Sequence, residues 1–118
     1  MSALARVERE PIPPGTLDML ILKILSAPRR ELHGFEIADA IQRRSRDVLQ
    51  VEEGSLYPAL QRMLVKGWIA GDWSKTPENR RARYYRLTAA GRRQLEREIA
   101  SYERTARAIA LIMQPAFA

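Results

Sequence analysis

The sequence has no cysteine and a single histidine, His33. Without cysteine there can be no disulfide, thiolate nucleophile or cysteine-ligated zinc, and one histidine rules out a multi-histidine metal site. Long apolar runs are missing too. The longest, Leu17 to Leu25, is interrupted by Asp18 and Lys23 and is far shorter than the roughly 18 residues of a membrane span. The opening Met1-Ser2-Ala3-Leu4-Ala5-Arg6 lacks the apolar region of a secretory signal, so a cytoplasmic location with no membrane contact is expected. No glycine-rich phosphate loop, nucleophile elbow or metal-ligand spacing occurs, so an enzyme is not expected and no cofactor is implied. What remains is 118 residues, 46% hydrophobic and 29% charged, the profile of one globular domain with a modest core.

The net charge of +6 is unevenly placed. Residues 1–74 and 94–118 are each neutral, and the surplus falls between Lys75 and Arg93. There Lys75, Arg80, Arg81, Arg83, Arg86, Arg92 and Arg93 face Glu78 alone. A surplus confined to one stretch suggests a surface that meets a polyanion, though a solvated basic face has the same composition.

Periodicity orders the chain. Residues 1–15, with Pro11, Pro13, Pro14 and Gly15, read as a flexible N-terminal arm. Thr16 is placed to cap a first helix, with Asp18 in its first turn. Leu17, Leu20, Ile21, Ile24 and Leu25 form its stripe, and Met19 and Leu22 make it apolar nearly all round, so a covering partner is expected. His33 reads as a turn residue that helps start a second helix with Phe35, Ile37, Ala38 and Ile41 inward. Glu52 and Glu53 suit a solvated helix start. Leu56, Leu60, Met63 and Leu64 then follow at i, i+4, i+7 and i+8 in a third helix, which tolerates Pro58 if it starts near Gly54 or Ser55.

Beyond Gly67 the period changes. Trp68 to Trp73 and Arg83 to Leu87 read as two strands of a hairpin, joined by a polar loop from Ser74 to Ala82. Alternation sends Arg83 and Tyr85 to one face and Tyr84 and Arg86 to the other, which makes one tyrosine a core residue. Thr88 caps a last helix whose Leu95, Ile99, Tyr102, Ala106, Ile109 and Met113 recur at spacings of 4, 3, 4, 3 and 4, a seam suited to pairing across a dimer. The expected fold is mainly α, an α+β winged helix-turn-helix: three helices, a two-stranded β-wing and a long C-terminal dimerisation helix. Residues 16–87 form the DNA-binding domain and 88–118 the dimerisation helix and tail.

Helix three is the candidate reader, because helix-turn-helix proteins present the start of this helix to base edges. Its candidate contacts are Gly54, Ser55, Tyr57, Pro58, Gln61 and Arg62. Gln61 suits adenine, Arg62 suits guanine or a phosphate, and Gly54 permits close approach of the helix start to a phosphate. In the wing, Lys75, Arg80, Arg81 and Arg83 are the candidate phosphate contacts. An acidic protein surface or an RNA would satisfy the same charge; a two-stranded hairpin with half its aromatics inward suits stacked single strands poorly.

Three stretches carry a family resemblance: Leu32-His33-Gly34-Phe35-Glu36-Ile37, then Glu53-Gly54-Ser55-Leu56-Tyr57-Pro58-Ala59-Leu60, then Arg83-Tyr84-Tyr85-Arg86-Leu87-Thr88-Ala89-Ala90-Gly91. In order and spacing they resemble the PadR family of bacterial transcriptional regulators over roughly residues 16–113. The stretch from Asp47 to Tyr57 is similar to the subgroup abundant in acidobacteria, and the single C-terminal helix to the short PadR-like subfamily. The resemblance implies a homodimeric winged-helix binder of double-stranded DNA, usually a repressor. Some short relatives hold planar drugs between tryptophans of the last helix; here that helix has none, and Trp68 and Trp73 fall on the first strand. The expected dimer interface comprises Leu20, Ile24, Leu95, Ile99, Tyr102, Ala106, Ile109 and Met113. A small-molecule effector would act by changing the dimer angle, and the sequence identifies none.

Overall fold

Helix α1 (Leu17–Ile24) is apolar on most sides because it lies at the centre of the chain. The computed structural model describes residues 8–116, and within them Ile21, Leu22, Ile24 and Leu25 of this segment are all at most 4% exposed. Around α1 pack α2 (Gly34–Arg44) and α3 (Glu53–Val65), which supply Ile37, Ala40, Ile41, Leu56, Ala59, Leu60 and Met63 to the same core. Ile69 of β4 (Ile69–Lys75), Tyr85 of β5 (Arg81–Leu87) and Leu95 of α4 (Ala89–Met113) close it.

Two local expectations change at the starts of α1 and α2. Thr16 occupies the cap position of α1 but with φ −104° and ψ −23°, and its side chain makes no capping bond. Caps of this kind need an extended backbone to aim the hydroxyl at the first turn. Phe35, expected inward, is 71% exposed, and Ala40 is buried in its place. The buried stripe of α2 runs through Ile37, Ala40 and Ile41, and a residue two positions before Ile37 lies about 200° around the helix from it. His33 does start α2. Its Nδ1 accepts the Glu36 N–H at 3.4 Å and its own N–H donates to Glu36 Oε1 at 3.1 Å, a reciprocal capping box.

The sheet has three strands, not two. Leu32–His33 (β2) pairs antiparallel with β5, giving the order β2-β5-β4. The register sets Trp73 opposite Arg83 and Gly71 opposite Tyr85. The strands run further than expected, to Lys75 and from Arg81, so the connecting turn is only Thr76 to Arg80. Thr76 organises that turn: its N–H donates to Arg80 O at 2.7 Å and its carbonyl accepts the Asn79 N–H at 2.8 Å.

A second, parallel pair joins Glu10–Pro11 (β1) to Leu49–Gln50 (β3). Of the expected flexible arm, residues 1–7 lie outside the described residues, whereas residues 10–11 are tied to the segment leading into α3. Ser45 holds that segment in place. Its hydroxyl donates to Gln42 O and accepts the Leu49 N–H, each at 2.9 Å.

Helix α4 divides in two. Thr88 caps it, accepting the Gly91 N–H at 3.0 Å and donating to Gly67 O at 2.6 Å. Leu95 is buried and Ile99 packs on the core, so the body of the domain runs past residue 88. Beyond Ile99 the helix leaves the body: Tyr102, Ile109, Leu111, Ile112 and Met113 are all more than half exposed. The resulting shape is long, 62 × 41 × 26 Å.

Candidate nucleic-acid interface

The start of α3 stands clear of the rest of the chain. Glu52 precedes it in extended conformation without a side-chain cap, and Gly54, Ser55, Tyr57, Pro58, Gln61 and Arg62 are all exposed. The helix begins at Glu53, one residue before the expected start. Pro58 therefore sits in its second turn, where its missing N–H leaves the Gly54 carbonyl without a helical donor. A Cβ on Gly54 would meet nothing within 4 Å.

From this face of α3 a cleft of about 350 Å³ opens toward the wing, lined by Phe35, Tyr57, Gln61, Trp73, Arg81 and Arg83 among others. Four of the residues expected from sequence, Tyr57, Gln61, Arg81 and Arg83, are thus brought together. Strand alternation explains the wing side: Arg83 and Tyr85 project toward α3, with Tyr85 buried at 6% exposure. Tyr57 rests on the start of α2, where a Cβ on Gly34 would come within 3.0 Å of its ring. Burial raises the Tyr85 phenol above its ordinary pKa, with Arg83 opposing and Tyr57 adding to the rise.

Trp73 organises the arginines. The Arg81 guanidinium carbon lies 4.5 Å from the Trp73 ring centre and that of Arg83 5.9 Å, a stacked arrangement that restrains both forks. Arg83 Nε is enclosed and has no hydrogen-bond partner. Phe35 and Trp73 are the large exposed aromatics of the cleft that the sequence reading missed. The signal for Phe35 was its position off the Ile37–Ala40–Ile41 stripe. For Trp73 it was its place directly across from Arg83 in the hairpin.

The remaining expected residues lie elsewhere. Lys75 and Arg80 stand exposed at the wing tip, outside the cleft. Arg62 has a partner within the chain: its Nη2 donates to Asp18 Oδ1 of α1 at 3.0 Å. The Arg62 side chain of this pair is more than half exposed, and so exposed a pair is weak. Of the expected dimer residues, Ile24 and Leu95 are buried inside the chain and so are not on its surface. Leu20 lies on a groove of about 220 Å³ between α1 and α2, rimmed by Lys23 and Arg44. Ile99 is half-buried against the core and Ala106 half-buried, while Tyr102, Ile109 and Met113 are free, joined by Leu111 and Ile112, which the heptad positions had left out.

Among the described residues, no group of three or more His, Cys, Asp or Glu side chains is placed to hold a metal, and no helix is long and apolar enough to cross a membrane. Comparison with known proteins gives a consistent result. The model of the transcriptional regulator PadR-like family matches residues 21–97. An uncharacterised protein of Lysinibacillus sphaericus is 27% identical over 106 residues, covering 90% of this chain and 95% of its own. Among solved structures, a PadR family transcription regulator from Clostridium difficile R20291 superposes with TM-score 0.69 at 30% identity, over 85% of this chain and all of its own. A transcriptional regulator from Clostridium thermocellum reaches TM-score 0.75 at 25% identity, over 85% and 95%. A PadR-like regulator from Bacillus cereus reaches 0.70 at 28%, over 86% and 95%. The chain belongs to the PadR-like family of transcriptional regulators, non-enzymatic proteins that bind DNA.

Proposed function

We propose that the protein is a homodimeric repressor that binds a pseudo-palindromic operator in the cytoplasm. The observation that carries this reading is the cleft joining Tyr57 and Gln61 of α3 to Arg81 and Arg83 of the wing. In it a reading helix and a phosphate grip share one concave surface. The first turns of α3 enter the major groove, where Gln61 pairs with a base edge and Ser55 with a base or phosphate. Gly54 lets the phosphate backbone approach the uncapped helix start. Arg81 and Arg83, held by Trp73, take phosphates beside the groove, and Lys75 and Arg80 reach onward from the wing tip. Arg62 joins this contact set by exchanging Asp18 for DNA.

The second copy is brought in by the distal half of α4. Five large apolar side chains stand exposed between Tyr102 and Met113, more than an isolated helix face leaves in water without a partner. Such a dimer has to present its two copies of α3 about 34–36 Å apart, one turn of duplex, to read both half-sites. Repression follows from a dimer occupying a promoter and excluding polymerase. In this reading residues 16–99 form the DNA-binding body and the rest of α4 the dimer arm.

The test is a titration of the gene's own upstream duplex, with random duplex and RNA as competitors at two salt concentrations. Preference for the upstream duplex over both competitors is expected; equal competition by RNA sinks the reading. In the same assay Ile109→Asp should elute as a monomer on size exclusion and bind the operator poorly. A persisting dimer would move the interface elsewhere.

A further inference from the structure

Three cations of the basic stretch, Arg86, Arg92 and Arg93, have no part in the DNA reading. The structure gathers two of them into a second cluster. Arg86 of β5 and Arg92 of α4 meet Arg29 and Arg30, from the turn after α1, around one cavity of about 320 Å³ that Glu31 and Leu87 also line. Arg29 and Arg30 come from a part of the sequence with no net charge, so the cluster is a product of the fold. Alternation along β5 separates the two basic sites: Arg83 points into the cleft beside α3 and Arg86 into this cavity.

The charges here are poorly compensated. Arg86 is held by Asp72 at 2.6 Å. Among the described residues, Arg29, Arg30 and Arg92 form no ion pair. Counting Glu31 and Asp72 against the four arginines leaves a surplus of two positive charges. Two further features act in the same direction. Helices α1, α2 and α3 each carry an acid in the first turn, Asp18, Glu36 and Glu53, whereas α4 has none. Arg92 closes that turn and Arg93 follows it, like charges near the positive end of the helix dipole. Arg29 itself is held at φ +56°, a conformation that residues other than glycine adopt sparingly. A turn, a strand end and a helix start thus each contribute a cation to one concavity, against their mutual repulsion.

We propose that this cavity is a second anion site, distinct from the operator cleft, which takes two adjacent phosphate groups. Guanidinium forks pair with phosphate oxygens two at a time, so four of them exceed the needs of a single phosphate, and the surplus of two charges matches a diphosphate bridged between them. The same chemistry is offered by a free diphosphate compound and by consecutive phosphates of DNA running beyond the operator.

Inorganic pyrophosphate titrated calorimetrically into the full chain tests the site, and duplexes of two lengths distinguish the sources. The variants are Arg30→Gln/Arg92→Gln and, as a control in the wing, Arg80→Gln/Arg81→Gln. Wild type and the wing variant should each bind one pyrophosphate per chain, and the Arg30/Arg92 variant should lose at least about tenfold in affinity, the value of one good charge-assisted contact. If the Arg30/Arg92 variant instead weakens binding only to a duplex extended well beyond the operator, with a salt slope lower by roughly two, the site stands and its ligand is flanking DNA. Pyrophosphate binding that fails to saturate, or is weakened equally in both variants, together with unchanged affinity for both duplexes, overturns the proposal. Thermal melting confirms that each variant folds; Arg29→Gln, on the exposed turn, gives a second reading if one does not. Failure of the operator reading would appear separately, as full operator affinity in the wing variant.

Discussion

The first turns of α3 and α4 each carry a glycine, and the two glycines answer to different constraints. A Cβ on Gly91 would lie 1.9 Å from the Trp68 carbonyl oxygen. That glycine is required by the chain itself, because helix α4 is laid directly on the backbone between α3 and β4. A Cβ on Gly54 would meet open space, and its φ is not in the left-handed region. Nothing within the described chain calls for glycine there. The caps repeat the contrast: Thr88 makes two hydrogen bonds at the start of α4, and Glu52 makes no side-chain bond at the start of α3. One helix start is closed by the fold and the other is left open.

Substitution at each start sharpens this difference. Gly91→Ala has the largest expected effect, a loss of about 3 kcal/mol in folding stability, the upper range for forcing atoms into a packed site. The denaturation midpoint would fall accordingly, and a midpoint equal to wild type would show that α4 is not seated on Trp68. Gly54→Ala should do the reverse. Alanine is the better helix former by about 0.5–1 kcal/mol, so the chain should gain slightly in stability. Operator affinity should fall about tenfold, the equivalent of about 1.4 kcal/mol of crowding against the DNA backbone. Unchanged affinity would detach Gly54 from the interface.

Thr88→Ala removes a cap and a bond to Gly67, costing about 1 kcal/mol of stability, while operator affinity per folded molecule should stay the same. The smallest effect concerns Tyr85, whose phenol burial holds above its ordinary pKa. The unfolded chain loses this proton first, so the related stability is intact below about pH 10 and declines as the pH climbs through the folded value. Tyr85→Phe should unfold less readily at alkaline pH than wild type and match it near neutrality. Equal alkaline loss in both would place the titration in another group.

What could be read from the sequence was what repeats often enough to have a period. Leu56, Leu60, Met63 and Leu64 mark α3, and the alternation of Arg83 and Tyr85 against Tyr84 and Arg86 calls for one core tyrosine, which the structure shows to be Tyr85. Strands of two residues, such as Leu32–His33 and Leu49–Gln50, are too short to show a period, so the third strand of the sheet and the tether of the N-terminal segment went unread. The ion pair of Arg62 could not be read from its own helix. Its partner Asp18 is 44 residues away, and only the packing of α1 on α3 brings them together. The heptad seam in the last helix mixed two roles for a similar reason. Leu95 and Ile109 obey the same spacing, yet the body of the domain ends between them.

The overhang of α4 also gives the molecule a mechanical gearing. The helix is rooted at Gly91 on the Trp68 backbone and projects free from about residue 100 to Met113, an arm of about 20 Å at 1.5 Å per residue. A tilt of about 10° where the arm leaves the body would swing the far end by about 3.5 Å, the rise of one base pair. Two such arms joined at their tips would turn that tilt into a relative displacement of the two DNA-reading bodies. Contacts made at the root of α4 therefore act with leverage, and the arginine-lined cavity opens beside that root.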